Sequence, residues 1–115
     1  MARSRNIKPG FFTDDELAEV PALTRLLFIG LWCLADREGR MEDRPKKIKA
    51  EVMPYDDIDV DAALQKLSPV FLTRYQVDGK KYIVINNFLK HQNLFEHRKL
   101  KNRQDNLQAQ VGVEP

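Results

Sequence analysis

The dipeptide Asp78-Gly79 is the feature that most constrains how this chain can fold. It lies between two segments, 70–77 and 80–88, that are rich in β-branched and aromatic residues and in which apolar and polar residues alternate near the dipeptide. Asp-Gly in such a setting is a strong signal for a β-hairpin, because both residues of its tight turn need positive φ. Glycine adopts positive φ freely, and aspartate tolerates it better than most residues. We therefore predict two antiparallel strands joined at this dipeptide.

Three helices are predicted ahead of the hairpin. The first covers residues 22–36 and is apolar on more than one side, so Phe28 and Trp32 are expected in the core. The second begins at Pro45, since proline suits the first helical position. The third begins after Asp59 as N-cap and carries apolar residues at helical spacing. A polar connection between the first two helices is a candidate for a short strand.

This order of elements is typical of an α+β fold of the winged-helix type, with three main helices and a C-terminal β-hairpin as the wing. We divide the chain into an extended basic N-terminal arm (1–12), a winged-helix domain (13–90) and a polar basic tail (91–115). The tail is predicted to be partly disordered, because it is polar and lies at a terminus.

Composition bounds the location of the protein. Cys33 is the only cysteine among the 115 residues, so an intramolecular disulfide is impossible and a reducing compartment is expected. The N-terminus lacks the apolar segment of a secretory signal. The longest apolar run, 26–35, is about half the length needed to span a bilayer. These features predict a cytoplasmic protein that does not contact a membrane.

No catalytic, cofactor or metal site is predicted. The sequence lacks a glycine-rich phosphate loop, a nucleophile elbow and the metal-binding pattern H-E-x-x-H. Cys33, His91 and His97 match no common metal-ligand spacing. Carboxylates are numerous, but no pair is marked out for acid–base chemistry. We therefore predict a non-enzymatic protein with no cofactor and no metal.

Charge is segregated along the chain, although the formal net charge is only +2. Basic residues are concentrated in 37–49 and around the hairpin, where they are predicted to contact DNA phosphates. These candidate DNA-binding residues are Arg37, Arg40, Arg44, Lys46, Lys47, Lys49, Arg74, Lys80 and Lys81. The alternative is that these charges are solvated and pair locally with Glu38, Glu42 and Asp43. Tyr75 and Tyr82 flank the turn, either as a cross-strand pair or as a surface that stacks bases.

The N-terminal end of the third helix is acidic. In a helix-turn-helix the second helix of the pair enters the major groove with its N-terminus first, so carboxylates there would be repelled by phosphates. We therefore expect the wing and the basic segments, rather than this helix, to carry any DNA contact. The carboxylates are instead candidates for protein interaction: Asp56, Asp57, Asp59 and Asp61.

Six segments of the chain resemble the N-terminal winged-helix domain of phage and prophage replication initiator (replisome organiser) proteins. They are 5–12 (RNIKPGFF), 25–32 (RLLFIGLW), 36–40 (DREGR), 42–49 (EDRPKKIK), 74–80 (RYQVDGK) and 87–93 (NFLKHQN). The resemblance covers roughly residues 3–93. It departs from the family pattern at 66–70, where the family has a glycine-containing turn, and after residue 93, where the family continues with Pro-His. The helicase-loading region that usually follows this domain is also missing from the sequence.

The resemblance implies a DNA-binding protein that takes part in the initiation of bacteriophage DNA replication, in the cytoplasm of a bacterial host. Its expected partners are DNA, duplex or single-stranded, and a replication or host nucleoprotein component; the apolar helix over 22–36 makes a homodimer plausible. The alternative is a stand-alone protein-interaction module that uses the acidic helix. Such a module would be an oligomerisation adaptor or a phage-encoded inhibitor of a nucleoprotein complex.

Overall fold

The computed structural model describes residues 2–89, which form an α+β fold of four helices and one three-stranded antiparallel sheet. The helices are α1 (Gly10–Thr13), α2 (Ala22–Leu34), α3 (Pro45–Val52) and α4 (Val60–Leu67), with a 3-10 helix at Leu17–Glu19. The strands are β1 (Arg40–Glu42), β2 (Leu72–Val77) and β3 (Lys80–Ile85). The predicted α+β class is confirmed. The predicted tail at 91–115 lies outside the described residues.

The hairpin forms as predicted. Asp78 and Gly79 have φ of 52° and 81°, and they join β2 to β3 in the antiparallel register that places Tyr75 opposite Tyr82. Strand β1 pairs with the other edge of β3, so the strand order is β1-β3-β2. The short strand expected between the first two helices is therefore the third strand of this sheet.

The helix ends follow local capping rules. Pro45 is in the first turn of α3, and the Asp59 carboxylate accepts a hydrogen bond of 3.1 Å from the Ala62 amide at the start of α4. Helix α2 ends at Leu34, two residues earlier than predicted. The reason is Asp36, whose side chain accepts hydrogen bonds from the amides of the following turn and so favours a turn over another helical residue.

Helix α2 lies at the centre of the core. Leu27 and Leu31 are fully buried, and Trp32 is 1% exposed. Phe11 and Phe28 pack against the Trp32 ring at centroid distances of 5.6 and 5.4 Å. The apolar stripe of α4 and one face of the sheet complete the core: Val60, Ala63, Leu64, Leu67, Leu72, Ile83 and Ile85. The helices therefore cover only the inner face of the sheet.

Two glycines allow close approaches that a side chain would block. At Gly39, φ is +83°, and a Cβ atom would lie 2.6 Å from the Cβ of Phe88. At Gly30 on α2, a Cβ atom would lie 2.8 Å from the Cβ of Val52 on α3. Gly39 thus brings the segment after β3 against the turn that precedes β1, and Gly30 lets α2 and α3 pack closely.

The N-terminal arm, predicted as an extended basic segment, packs along α2. The Arg3 amide donates a hydrogen bond of 3.0 Å to the Cys33 carbonyl. The Arg5 guanidinium donates to the carbonyls of Trp32 and Ala35 at 2.8 and 2.9 Å, and it lies 5.0 Å from the centre of the Phe88 ring. The last carbonyls of a helix have no partner within it, so a basic side chain is well suited to this position. Within residues 2–89 no helix is long and apolar enough to cross a membrane.

Candidate nucleic-acid interface

Five of the nine predicted DNA-binding residues lie near the turn end of the hairpin, on β3 directly after the turn and on the segment that follows β1. The Asp43 amide donates a hydrogen bond of 3.0 Å to the Lys81 carbonyl, which places the residues after β1 beside the start of β3. Helix α3 begins two residues later, so its first turn extends from this same corner. We call this group the turn-end cluster: Arg44, Lys46, Lys47, Lys80 and Lys81. All five side chains are exposed.

The lysines of this cluster have no carboxylate partner among residues 2–89, whereas Arg44 lies 3.5 Å from Glu42 in an exposed ion pair. An exposed pair of this kind contributes little to stability and is easily exchanged for another anion. The turn-end cluster therefore contains lysines whose charge is available to phosphates, with Lys80 and Lys81 on opposite faces of β3 because they are consecutive strand residues.

Arg37 and Arg40 lie at the opposite end of β1 from the hairpin turn. Arg40 is opposite Val84, four residues from Lys80 along β3, which corresponds to about 13 Å along an extended strand. Its guanidinium forms ion pairs of 3.1 Å with Asp36 and with Glu38. The structure thus separates Arg37 and Arg40 from the turn-end cluster.

Asp36 shows how tightly this turn is organised. Partial burial opposes its charged form, but the hydrogen bonds from the backbone amides of Arg40 and Glu38 and from the Arg40 guanidinium outweigh it and lower the pKa of Asp36. The same contact, with the Asp36 hydrogen bond as its main cause, raises the pKa of Arg40. The local pairing weighed as an alternative for these basic residues is thus present at Arg40.

Arg74 points into a network of acidic and amide groups. Its Nε and Nη2 atoms donate to both carboxylate oxygens of Asp43 at 2.7 and 2.9 Å, and Nη2 also donates to Asp61 at 2.7 Å. Its Nη1 atom donates to Gln65 at 3.1 Å. The hydrogen bond to Asp43 is the main cause that raises the pKa of Arg74. With its side chain 20% exposed, Arg74 is occupied by this network and does not join the exposed cluster.

The remaining predicted residues have mixed surroundings. Lys49 is half-buried and donates a hydrogen bond of 3.3 Å to the Met53 carbonyl, so it braces the end of α3. Of the acidic candidates, Asp59 caps α4 and Asp61 pairs with Arg74. Asp56 is half-buried, and Asp57 is exposed. Two of the four predicted protein-interaction carboxylates thus have structural partners.

The outer face of the sheet carries a shallow groove. Tyr75 and Tyr82 stack across the strands with ring centres 5.7 Å apart and planes 28° from parallel, which confirms the predicted cross-strand pair. The groove has a volume of about 390 Å³. It is lined by Asp36, Arg40, Met41, Glu42, Tyr75, Val77 and Tyr82.

Sequence reasoning missed three residues of this region. The sequence predicts Asp43 only as a local partner for nearby basic residues, yet Asp43 is buried and binds Arg74, which is 31 positions away. Tyr55, in the loop between α3 and α4, is 98% exposed and was not singled out. The sequence predicts only that Arg5 belongs to the extended basic arm and gives no partner for it. Local patterns could not reveal these roles, because each depends on residues distant in the chain or on the packed surface.

Within residues 2–89 no group of three or more histidine, cysteine or acidic side chains is arranged to hold a metal ion; His91 and His97 lie outside this part of the chain. No family model matches the chain, and no curated protein or solved structure shows significant similarity to it. The functional conclusion therefore depends on the geometry and charge of the surfaces described above.

Proposed function

We propose that this protein is a non-enzymatic winged-helix DNA-binding protein of the kind that initiates bacteriophage DNA replication, and that it contacts phosphates through the turn-end cluster. In this proposal the hairpin of β2 and β3 is the wing, and α3 and α4 are the helix-turn-helix pair. The order α2-β1-α3-α4-β2-β3 and the sheet order β1-β3-β2 support the winged-helix assignment.

The observation that carries the proposal is the meeting of two basic segments at one corner of the fold. Lys80 and Lys81 come from the start of β3, and Arg44, Lys46 and Lys47 come from the start of α3. The two segments are far apart in sequence, and the hydrogen bond between the Asp43 amide and the Lys81 carbonyl joins their backbones. Several exposed cations at one place are the usual source of sequence-independent affinity for DNA.

The charge on α4 favours contact through the cluster rather than through the usual second helix. Asp59 and Asp61 lie at the N-terminal end of α4, where an inserted helix would meet the phosphates first. Asp61 is also held by Arg74 and supports the structure at this end. In this proposal α4 is therefore turned away from the DNA, and the hairpin contacts the DNA.

A salt titration of DNA binding tests this proposal. The full chain is titrated with labelled duplex and single-stranded DNA at several salt concentrations, with affinity read from fluorescence anisotropy. Affinity is expected to fall steeply with salt, and replacing Lys80 and Lys81 with glutamine should reduce the slope of log K against log salt by about one for each lost contact. The absence of binding at low salt would refute the DNA-binding function.

A matched charge change separates a local contact from general electrostatics. Lys66 is an exposed lysine in the last turn of α4, outside the cluster. Lys66→Glu and Lys81→Glu change the net charge by the same amount, so only the second should weaken binding strongly. Equal losses in the two variants would remove the cluster from the site.

The exposure of Tyr55 favours a second candidate function, a protein-interaction module. A tyrosine that is 98% exposed beside Asp56 and Asp57 resembles the aromatic anchors found at protein interfaces. In this alternative the loop between α3 and α4 binds a second copy of the chain or a nucleoprotein partner. Sedimentation analysis of the full chain should then show an assembly that Tyr55→Ser with Asp57→Asn disrupts. A wild-type chain that stays monomeric would exclude the oligomerisation form of this function.

A further inference from the structure

The groove on the outer face of the sheet has an aromatic floor. Tyr75 and Tyr82 are half-buried, and each ring uses one face for its partner, 5.7 Å away between ring centres. The opposite face of each ring is not used by this pair. The half-exposed Val77 extends the apolar surface beside the rings. A flat π-surface with apolar flanks accepts another flat ring, and every nucleic-acid base has a π-face.

The lining of the groove itself contains two carboxylates and one arginine, so its attraction for a polyanion that carries flat rings depends on the cations beside it. The two carboxylates in its lining are each paired with an arginine: Asp36 with Arg40 at 3.1 Å, and Glu42 with Arg44 at 3.5 Å. Lys80 lies two residues before Tyr82 on the same strand, so its side chain is on the same face of the sheet. Among residues 2–89 no carboxylate pairs with Lys80, so an unpaired positive charge lies beside the groove at the turn end of the hairpin.

We propose that this groove binds single-stranded DNA, with unpaired bases stacked on Tyr82 and Tyr75 and the phosphates held by Lys80 at its turn end. Bases in a duplex are already stacked on their neighbours, so the rings select unpaired strands. The inference extends the proposed function, since it uses the same phosphate contacts and adds the form of DNA that the site prefers.

The test compares two probes on the full chain, a fluorescein-labelled oligothymidylate and a duplex of the same length. Tyr75→Leu and Tyr82→Leu keep an apolar side chain but remove the ring, whereas Tyr82→Phe keeps the ring and loses only the hydroxyl. Each leucine variant is expected to bind the oligothymidylate about tenfold more weakly. Duplex binding by the leucine variants, and all binding by Tyr82→Phe, should be unchanged.

The outcomes distinguish this inference from the function on which it depends. If the wild type binds DNA and the leucine variants keep their affinity for the single strand, the stacking site is refuted and the phosphate contacts stand. Equal losses for both probes also refute it, because they show a general effect on the hairpin. If the wild type binds neither probe, the DNA-binding function itself fails.

A measurement on the wild-type chain covers the case in which a leucine variant does not fold. Stacked bases shift the NMR signals of ring protons upfield, so adding oligothymidylate should move the ring signals of Tyr75 and Tyr82. Adding free thymidine at the same nucleoside concentration controls for weak stacking without phosphate contacts. Unmoved tyrosine signals at saturating oligothymidylate would overturn the proposal.

Discussion

At the scale of single residues, the position of a cation decides what it does. Arg74 belongs by sequence to the basic hairpin, yet its guanidinium satisfies Asp43 and Asp61. The Asp43 side chain is only 4% exposed, and Arg74 is its ion-pair partner at 2.7 Å. Lys80 and Lys81, a few positions further on, face solvent. One basic segment thus contains both a structural cation and candidate ligand-binding cations.

Removing Arg74 should destabilise the fold. Arg74→Met leaves Asp43 buried without its cation, and losing one partner of such a pair costs about 3 kcal/mol in the free energy of unfolding. Urea denaturation followed by circular dichroism measures this change. The double variant Arg74→Met with Asp43→Leu should recover most of the loss, because apolar replacement of a buried ion pair is often nearly neutral. A single variant as stable as the wild type would show that the network contributes nothing.

At the scale of elements, local sequence signals and distant contacts determine different features. The turn at Asp78-Gly79, the N-cap at Asp59 and the start of α3 depend on residues within a few positions of each other, so the sequence predicted them correctly. The contact of Gly39 with Phe88 joins residues on either side of α3, α4 and the hairpin. No local pattern identifies such a pair, and the same reason hid the partner of Arg74.

The two positive-φ glycines in turns provide a matched comparison. At Gly79, φ is +81° and no atom lies within 4 Å of the point that a Cβ atom would occupy, so Gly79→Ala should cost only the strain of positive φ, about 1 kcal/mol. Gly39→Ala meets both that strain and Phe88, and overpacking adds about 1–3 kcal/mol. Thermal denaturation of the two variants should therefore rank Gly39→Ala as clearly less stable. The reverse ranking would mean that Phe88 moves aside at little cost.

At the scale of the whole molecule, the N-terminal arm and the core form one packed unit. Phe11 stacks on Phe28 and contacts Trp32, while Arg5 joins the end of α2 to Phe88. The candidate site was only partly predictable at this scale. The basic segments were evident in the sequence. Only the fold shows how they divide into the turn-end cluster, the pair at the far end of β1 and the Arg74 network.

Substitution of Arg5 tests whether the arm and the core unfold together. Arg5→Met removes the donors to the Trp32 and Ala35 carbonyls and should lower the free energy of unfolding by about 1–2 kcal/mol. Trp32 fluorescence and far-ultraviolet circular dichroism should report the same shifted midpoint, as expected for a single cooperative unit. Arg3→Met is the control, since the arm contact of Arg3 uses its backbone amide. Two separate transitions would show that the arm detaches first.

The network of Asp43, Arg74 and Asp61 also has an evolutionary consequence. One substitution at Arg74 leaves the carboxylates of Asp43 and Asp61 without their shared cation, and one at Asp43 removes two hydrogen bonds of the Arg74 guanidinium, so either single step passes through a less stable chain. Descendants of this sequence are therefore expected to keep both Asp43 and Arg74 or to exchange them together for an apolar pair. The exposed lysines of the turn-end cluster have no such structural partner, so each can be substituted without a compensating change elsewhere in the fold.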